Sequence, residues 1–326
     1  MSGVLDAAYD AAAAAVRVAP RVIVAAHENP DGDAIGSLVG AVRGLRAAGV
    51  DAIGVRAPDE LPREYRWLDD GDTVTSTPEG EAWLLLAVDC GSASRIAAPD
   101  GVRERAAVTI DLDHHHDNTR FGDVNIVDDG AACSAVMVRE LLARLGVELT
   151  AAIATPLYVG LVTDTGRFQY SNTDARAFAA AAELVGHGAR PQEVFQRVYE
   201  SVQASKLRLL ARALDRIELR LGGRLAVTWL TREDIAETGA DEAATDGVID
   251  SLRAIEGVEV AAFIREATNG ARHKVSLRSA SGIVDVSRIA RAGGGGGHTR
   301  AAGFSSDLDR PQLVDLIEAE AAPDLG

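Results

Sequence analysis

Cysteine is nearly missing from this 326-residue chain, which holds Cys90 and Cys133 and no others. Two thiols cannot frame a disulfide scaffold and suit a reducing compartment, so a cytoplasmic location is expected. Aromatic residues are scarce at 4%, which leaves alanine and aliphatic side chains to build the core. Lysine occurs only as Lys206 and Lys274, so arginine carries nearly all the positive charge, a bias to which we attach no function. No stretch approaches the ~18 consecutive apolar residues of a membrane span. The alanine-rich segment 5–18 is broken by Asp6, Asp10 and Arg17, as a surface helix would be. A net charge of −16 argues against indiscriminate binding of nucleic acid or membrane by the whole surface, though it leaves room for a local basic groove.

What is present is a globular balance, 47% hydrophobic and 25% charged, in a chain long enough for two domains. The runs 21–26 (RVIVAA), 84–88 (LLLAV) and 108–112 (VTIDL) read as buried strands, and between them Ile35, Leu38, Val39, Val42 and Leu45 recur at helical spacing. This alternation predicts an α/β fold with a doubly wound parallel sheet, helices on both faces and ligands beyond the carboxyl ends of the strands. Segment 174–198 is helical and charged, and 201–214 reads as a connecting helix. Beyond it lie two hairpin signals: 216–221 and 224–229 flank Gly222-Gly223, and 258–266 and 273–279 flank Asn269-Gly270. The expected organisation is a parallel-sheet domain over 1–190, a connecting segment over 191–215 and a smaller mixed-sheet α/β domain over 216–326, with a cleft between the two domains.

Polar clusters follow the apolar runs. The first run leads into His27, Asp31 and Asp33 on a Pro/Gly loop; the second stops at Asp89; the third stops at Asp113, His114 and His115; a fourth, 160–165, ends around Asp164. Taken singly, an aspartate after a strand is more often a helix cap or turn residue. Five of the seven histidines (27, 114, 115, 116 and 298) nevertheless fall in such clusters. On a parallel sheet these groups converge on one edge, and their crowded carboxylates would raise one another's pKa unless cations compensate them. Carboxylate with imidazole suits manganese or a similar first-row ion, and the lack of clustered thiolates argues against structural zinc. Two such ions ~3.5–4 Å apart clamp a phosphoryl group for in-line attack by an activated water.

The segments HENPDGDAIGS (27–37), AVDCGSASRI (87–96), DLDHHHDNTRFGDVN (111–125), GLVTDTGRFQYSNT (160–173) and GGGGGHTRAAGF (293–304) resemble, in order, the motifs of the DHH phosphoesterase family. The resemblance is nearest to its oligoribonuclease and 3′-phosphoadenosine-5′-phosphate phosphatase branch, and the last motif is similar to the DHH-associated C-terminal domain. The resemblance implies that His27, Asp31 and Asp89 ligate one ion, and that Asp33, Asp89, His114 and Asp164 ligate the other. It further implies that Asp113 orients an imidazole and that His115 contacts the scissile phosphate or assists the leaving oxygen. His116 falls at the variable position after the signature.

Between 261 and 303 seven basic residues face two acids, Glu266 and Asp285, a local excess of five positive charges. Arginine forks and consecutive glycines both suit an oxyanion. The family likeness implies that Arg278, Gly296, Gly297 and His298, with Arg167 from the first domain, bind the substrate away from the scissile bond. The expected activity is hydrolysis of short RNA or 3′-phosphoadenosine-5′-phosphate, with cyclic diadenylate as a further candidate, using two manganese ions and admitting no duplex and no membrane. A homodimer is expected at family level only. The competing readings are a RecJ-like single-strand exonuclease, a catalytically silent nucleotide sensor, which would show a broken ligand set, and an RNA-binding adaptor using the second domain alone.

Overall fold

The computed structural model describes residues 3–56, 61–76, 83–245, 247–267 and 270–325, which divide into two compact units, Met1–Ser201 and Val202–Gly326. Asn269 of the second hairpin signal lies outside the described residues.

The first unit opens with α1 (Gly3–Val18), β1 (Val22–Ala25), α2 (Gly32–Ala47), β2 (Ala52–Val55), β3 (Val74–Thr75) and β4 (Trp83–Val88). It continues through β5 (Ala106–Asp113), β6 (Val124–Val127), α3 (Ser134–Arg144), α4 (Ala151–Asp164), α5 (Ala175–Gly186) and α6 (Pro191–Tyr199). All six strands are parallel, in the order β3-β2-β1-β4-β5-β6. The chain therefore runs outward in both directions from the β1–β4 pair, the position at which an open α/β sheet forms its ligand crevice.

Alternate residues of each central strand feed different cores. Val22, Val24, Leu84, Leu86 and Val88 join the larger cluster with α1 to α4, while Ile23, Ala25, Trp83 and Leu85 join a smaller one. The smaller face is closed by Val102, with Ile96 and Ala98 packed against it, from the irregular segment after β4. Among the described residues a row of helices therefore covers one face, and this segment stands where the second row is expected. The fourth apolar run is likewise no strand: residues 160–164 are the last turn of α4, a helix apolar on nearly every side because α2, α3 and α5 enclose it.

Glycine sets the distance between α2 and α4. Gly32, Gly36, Gly40 and Gly44 form a stripe at four-residue spacing. A Cβ on Gly36 would lie 2.4 Å from the Pro156 carbonyl oxygen, and one on Gly40 would lie 2.4 Å from Leu157. The close approach brings the N-terminus of α2 beside the C-terminus of α4, and with them Asp33 and Asp164.

The second unit contains α7 (Ala204–Asp215), β7 (Glu218–Arg220), β8 (Leu225–Leu230), α8 (Arg232–Thr238), α9 (Val248–Arg253), β9 (Val260–Glu266) and β10 (His273–Ser279). It ends with α10 (Val286–Ala292), β11 (Gly296–His298), β12 (Ala301–Ser306) and α11 (Arg310–Leu325). Its sheet, ordered β11-β12-β10-β9-β8-β7, is mixed: β8 and β9 are parallel and the remaining pairs antiparallel. Helices α10 and α11 cover one face, and α7 and α9 cover the other over β8 and β9. The glycine run is largely a packing device, since a Cβ on Gly295 would meet the Gly303 carbonyl at 2.3 Å and one on Gly297 would meet Ala302 at 2.5 Å.

A candidate metal centre at the sheet switch point

Each carboxyl end around the β1–β4 pair delivers a polar group. His27 follows β1, is 5% exposed, and is fixed by a 2.7 Å contact between Nδ1 and the Glu28 carbonyl oxygen. That contact turns Nε2 toward Asp89 Oδ2 at 3.5 Å and Asp31 Oδ1 at 3.8 Å. Asp31 caps α2, its carboxylate accepting from the Asp33 and Ala34 amides at 3.0 Å each. The cap and ligand readings of this residue therefore coexist.

Asp33 and Asp89, each 1% exposed, lie deepest. Asp33 accepts from the Ser134 amide at 2.6 Å and the Ala135 amide at 2.9 Å, the free donors at the N-terminus of α3, and from Ser37 Oγ at 3.1 Å. Asp89 has a φ of 59°, an uncommon backbone state for a side-chain-bearing residue, and accepts from Ser134 Oγ at 3.0 Å. His114 completes the cluster. Its Nε2 lies 3.6 Å from Asp89 Oδ1, 3.7 Å from Asp164 Oδ2 and 4.0 Å from Asp33 Oδ2. Three triads result, His27–Asp31–Asp89, Asp33–His114–Asp164 and Asp89–His114–His115, the ligand atoms within each lying no more than 4.8 Å apart.

The electrostatics favour added positive charge. Burial, with the charges of Asp89 and Asp164, pushes the Asp33 carboxyl well above the usual carboxylate range, and burial lifts Asp164 to about 6. His27 is raised to about 10: burial opposes this, and hydrogen bonds to Asp31 and Asp89 outweigh it. Acids held partly neutral and an imidazole held charged are what a carboxylate cage does without a cation. The donor set of imidazole nitrogen and carboxylate oxygen fits a first-row divalent ion.

Behind the cluster, His115 Nδ1 lies 2.7 Å from Asp113 Oδ1, and this hydrogen bond raises the His115 pKa. Asp113 is fully buried, and its other oxygen accepts from Asn118 Nδ2 at 2.7 Å. The Asn118 amide also reaches the Cys90 carbonyl and Asp111 Oδ1, at 3.2 Å each. Asn172 Nδ2 donates to Asp164 Oδ2 at 3.2 Å. Asn118, Ser134 and Asn172 were not singled out from the sequence. Asn118 and Asn172 lie inside the motif segments 111–125 and 160–173, and Ser134 lies outside them, but a lone polar side chain in a loop carries no role by itself.

Of the remaining candidates, Arg278 and His298 both stand in register with Ala301 on neighbouring strands, so they share one face of the second sheet with only that small residue between them. Gly296 and Gly297 lie in β11 beside them. Arg167 stacks on the Tyr199 ring at 5.2 Å. The local basic excess shrinks on folding. Arg265 pairs with Glu242 at 2.9 Å, and Arg288 binds Glu320 and Asp324. A sequence window cannot count acids brought from outside it.

Comparison with known proteins agrees with this geometry. The N-terminal domain of the DHH family matches residues 21–161, and the DHHA1 domain matches residues 222–322. The chain is 38% identical over 301 residues to the bifunctional oligoribonuclease and PAP phosphatase NrnA of Thermus thermophilus, a match covering 91% of this chain and 87% of that one. Among solved structures, an exopolyphosphatase-related protein from Bacteroides fragilis superposes with a TM-score of 0.86 at 23% identity, covering 98% of each chain. RecJ of Thermus thermophilus in complex with Mn2+ superposes at 0.55 with 17% identity, covering 98% of this chain and 55% of RecJ.

Proposed function

The chain belongs to the DHH family of phosphoesterases, with a DHHA1 domain as its second part, and from that premise we propose that it hydrolyses short oligoribonucleotides and 3′-phosphoadenosine-5′-phosphate to mononucleotides. The observation that carries this reading is the convergence of His27, Asp31, Asp33, Asp89, His114 and Asp164 at the sheet switch point. A catalytically silent sensor would have a broken set, and this set is whole. The relative that shares 38% identity carries both activities in its name.

In this proposal His27, Asp31 and Asp89 hold one divalent ion, and Asp33, Asp89, His114 and Asp164 hold a second, with manganese favoured by the donor set and by the ion present in RecJ. When bound, such a pair supplies Lewis acidity toward the phosphoryl oxygens and makes water acidic enough to attack near neutral pH. The protein's own groups do the rest. The amides of α3 fix Asp33, so the cage keeps its shape when charged. Asp113 fixes the His115 tautomer and sustains its protonated form, so that His115 can donate a proton to the departing ribose oxygen. Arg278, His298 and the backbone of Gly296 and Gly297 bind the substrate away from the scissile phosphate. Such an enzyme works in the cytoplasm on single nucleotides and short strands.

The test is a manganese-supplemented assay offering 3′-phosphoadenosine-5′-phosphate, a diribonucleotide, cyclic diadenylate and a long single-stranded RNA side by side. Turnover of the first two well ahead of the long strand is expected. A preference for the long strand would favour the RecJ-like alternative, and no turnover of any of the four would end the proposal.

A further inference from the structure

Aromatic residues are scarce, yet six of the eleven Phe and Tyr residues lie between positions 158 and 199. Three of them, Tyr158, Phe168 and Phe195, line a cavity of about 500 Å³ within the first unit, a volume typical of sites for small organic molecules. Tyr158 and Val162 of α4 and Val194 of α6 are buried beneath it, while Phe195 is 39% exposed. On α4, Tyr158 and Val162 point away from the side that carries Asp164, because residues two or six positions apart fall on roughly opposite helix faces.

The polar lining has no partners of its own. The Arg167 guanidinium makes no hydrogen bond or ion pair with the described residues and rests on the Tyr199 ring. Gln192 and Gln196, one turn apart on α6, and Glu200 likewise leave their side-chain polar atoms unpaired among the described residues. Arg167 and Glu200 offset each other, so the cavity has no net charge to hold a phosphate. Aromatic walls, a stacked guanidinium and carboxamides with both donors and acceptors suit a flat, uncharged ring with polar edges, which is a nucleobase.

The backbone ties this cavity to the metal cluster. Residues 165–172 leave Asp164 and return to it, Asn172 Nδ2 donating to the Asp164 carbonyl at 3.1 Å and to its carboxylate at 3.2 Å. Arg167 and Phe168 sit on this loop with successive φ values of 63° and 64°, a strained pair held in place by the Phe168 amide donating to Thr165 Oγ1 at 3.2 Å. A closed loop of that length reaches no more than ~14 Å from its pinned ends, so the cavity wall lies within a few nucleotides of the cluster.

Building on the nucleotide-hydrolase reading, we propose that this cavity is a subsite for a base remote from the scissile phosphate, and that it favours an oligonucleotide over a mononucleotide bisphosphate. The experiment uses the full chain with manganese and compares pentaadenylate with 3′-phosphoadenosine-5′-phosphate. Phe195→Ala and Arg167→Ala should each raise the ratio of the pentaadenylate KM to the bisphosphate KM by about tenfold, since stacking on a protein side chain is worth roughly fivefold to a hundredfold per base. Phe195→Trp, which keeps a stacking face, should restore the wild-type ratio. An unshifted ratio in both alanine variants would overturn the subsite. A second measurement needs no turnover: fluorescence anisotropy of labelled pentaadenylate in EDTA, where Phe195→Ala should weaken binding about tenfold. Unchanged anisotropy overturns the subsite even if the wild type is active. Weakened binding in Phe195→Ala, with a wild type that binds but hydrolyses no nucleotide, would retain the subsite and discard the hydrolase reading.

Discussion

Asp33 and Asp89 are each 1% exposed and bound by backbone amides or a serine hydroxyl, whereas His298 is exposed and Arg278 partly exposed on the face of the second sheet opposite α10 and α11. The first group was placed during folding at an electrostatic cost, since like charges are crowded out of water. The second stays hydrated and costs little until an anion arrives. Cation binding should therefore change both the chemistry and the stability of the first unit, while substitutions on the second sheet should change affinity and leave stability alone.

The largest expected effect is on Asp89, among the described residues the one carboxylate within reach of His27, His114 and His115. Asp89→Ala should lower kcat/KM by about a thousandfold or more with a folded circular dichroism spectrum, and near-normal turnover would refute the shared role of this carboxylate.

Acid should next separate the units. In metal-free protein the folded pKa of Asp164 is raised to about 6, above its unfolded value of ~3.9. Its contribution to stability is thus present at low pH and lost as pH rises through 6. Asp234 in the second unit behaves oppositely. Despite burial, hydrogen bonds from Arg216, Thr231 and Arg212 hold its carboxyl well below the usual range, so its contribution is present above ~4 and lost as pH falls further. Peptide-resolved hydrogen exchange in EDTA should show the first unit gaining on the order of 2 kcal/mol between pH 7 and 5, with no gain in the second. Manganese should remove that gain, and equal responses of the two units would break the comparison.

Gly36→Ala probes the helix contact that brings Asp33 and Asp164 together. A methyl group 2.4 Å from the Pro156 carbonyl oxygen must push the helices apart. We expect a loss of ~1–3 kcal/mol in denaturant unfolding, confined to the first unit. The smallest effect belongs to the second sheet: Arg278→Ala should raise KM about tenfold with little change in kcat or melting temperature.

These contrasts also mark what was legible in the sequence. Strands β1 and β4 were readable because both faces are buried, which makes them unbroken apolar runs, and β5 by its β-branched and apolar residues around Thr109 and Asp111; the residues at or just after their ends carried the cluster. Strands β2, β3 and β6 were not, being two to four residues long and at or near the sheet edges. The run ending at Asp164 has no polar face to reveal a helical period, so its helix was invisible to patterning. The α2 glycine stripe could have been found by its four-residue spacing. The partners of Arg265 and Arg288 could not, because folding alone brings Glu242, Glu320 and Asp324 to them.

The central claim is that one buried cage accommodates a pair of cations. Anomalous diffraction at the manganese edge, from crystals of the full chain equilibrated with manganese, should show two peaks ~3.5–4 Å apart with the Asp89 carboxylate between them. A single peak, or peaks remote from His27 and His114, would contradict it.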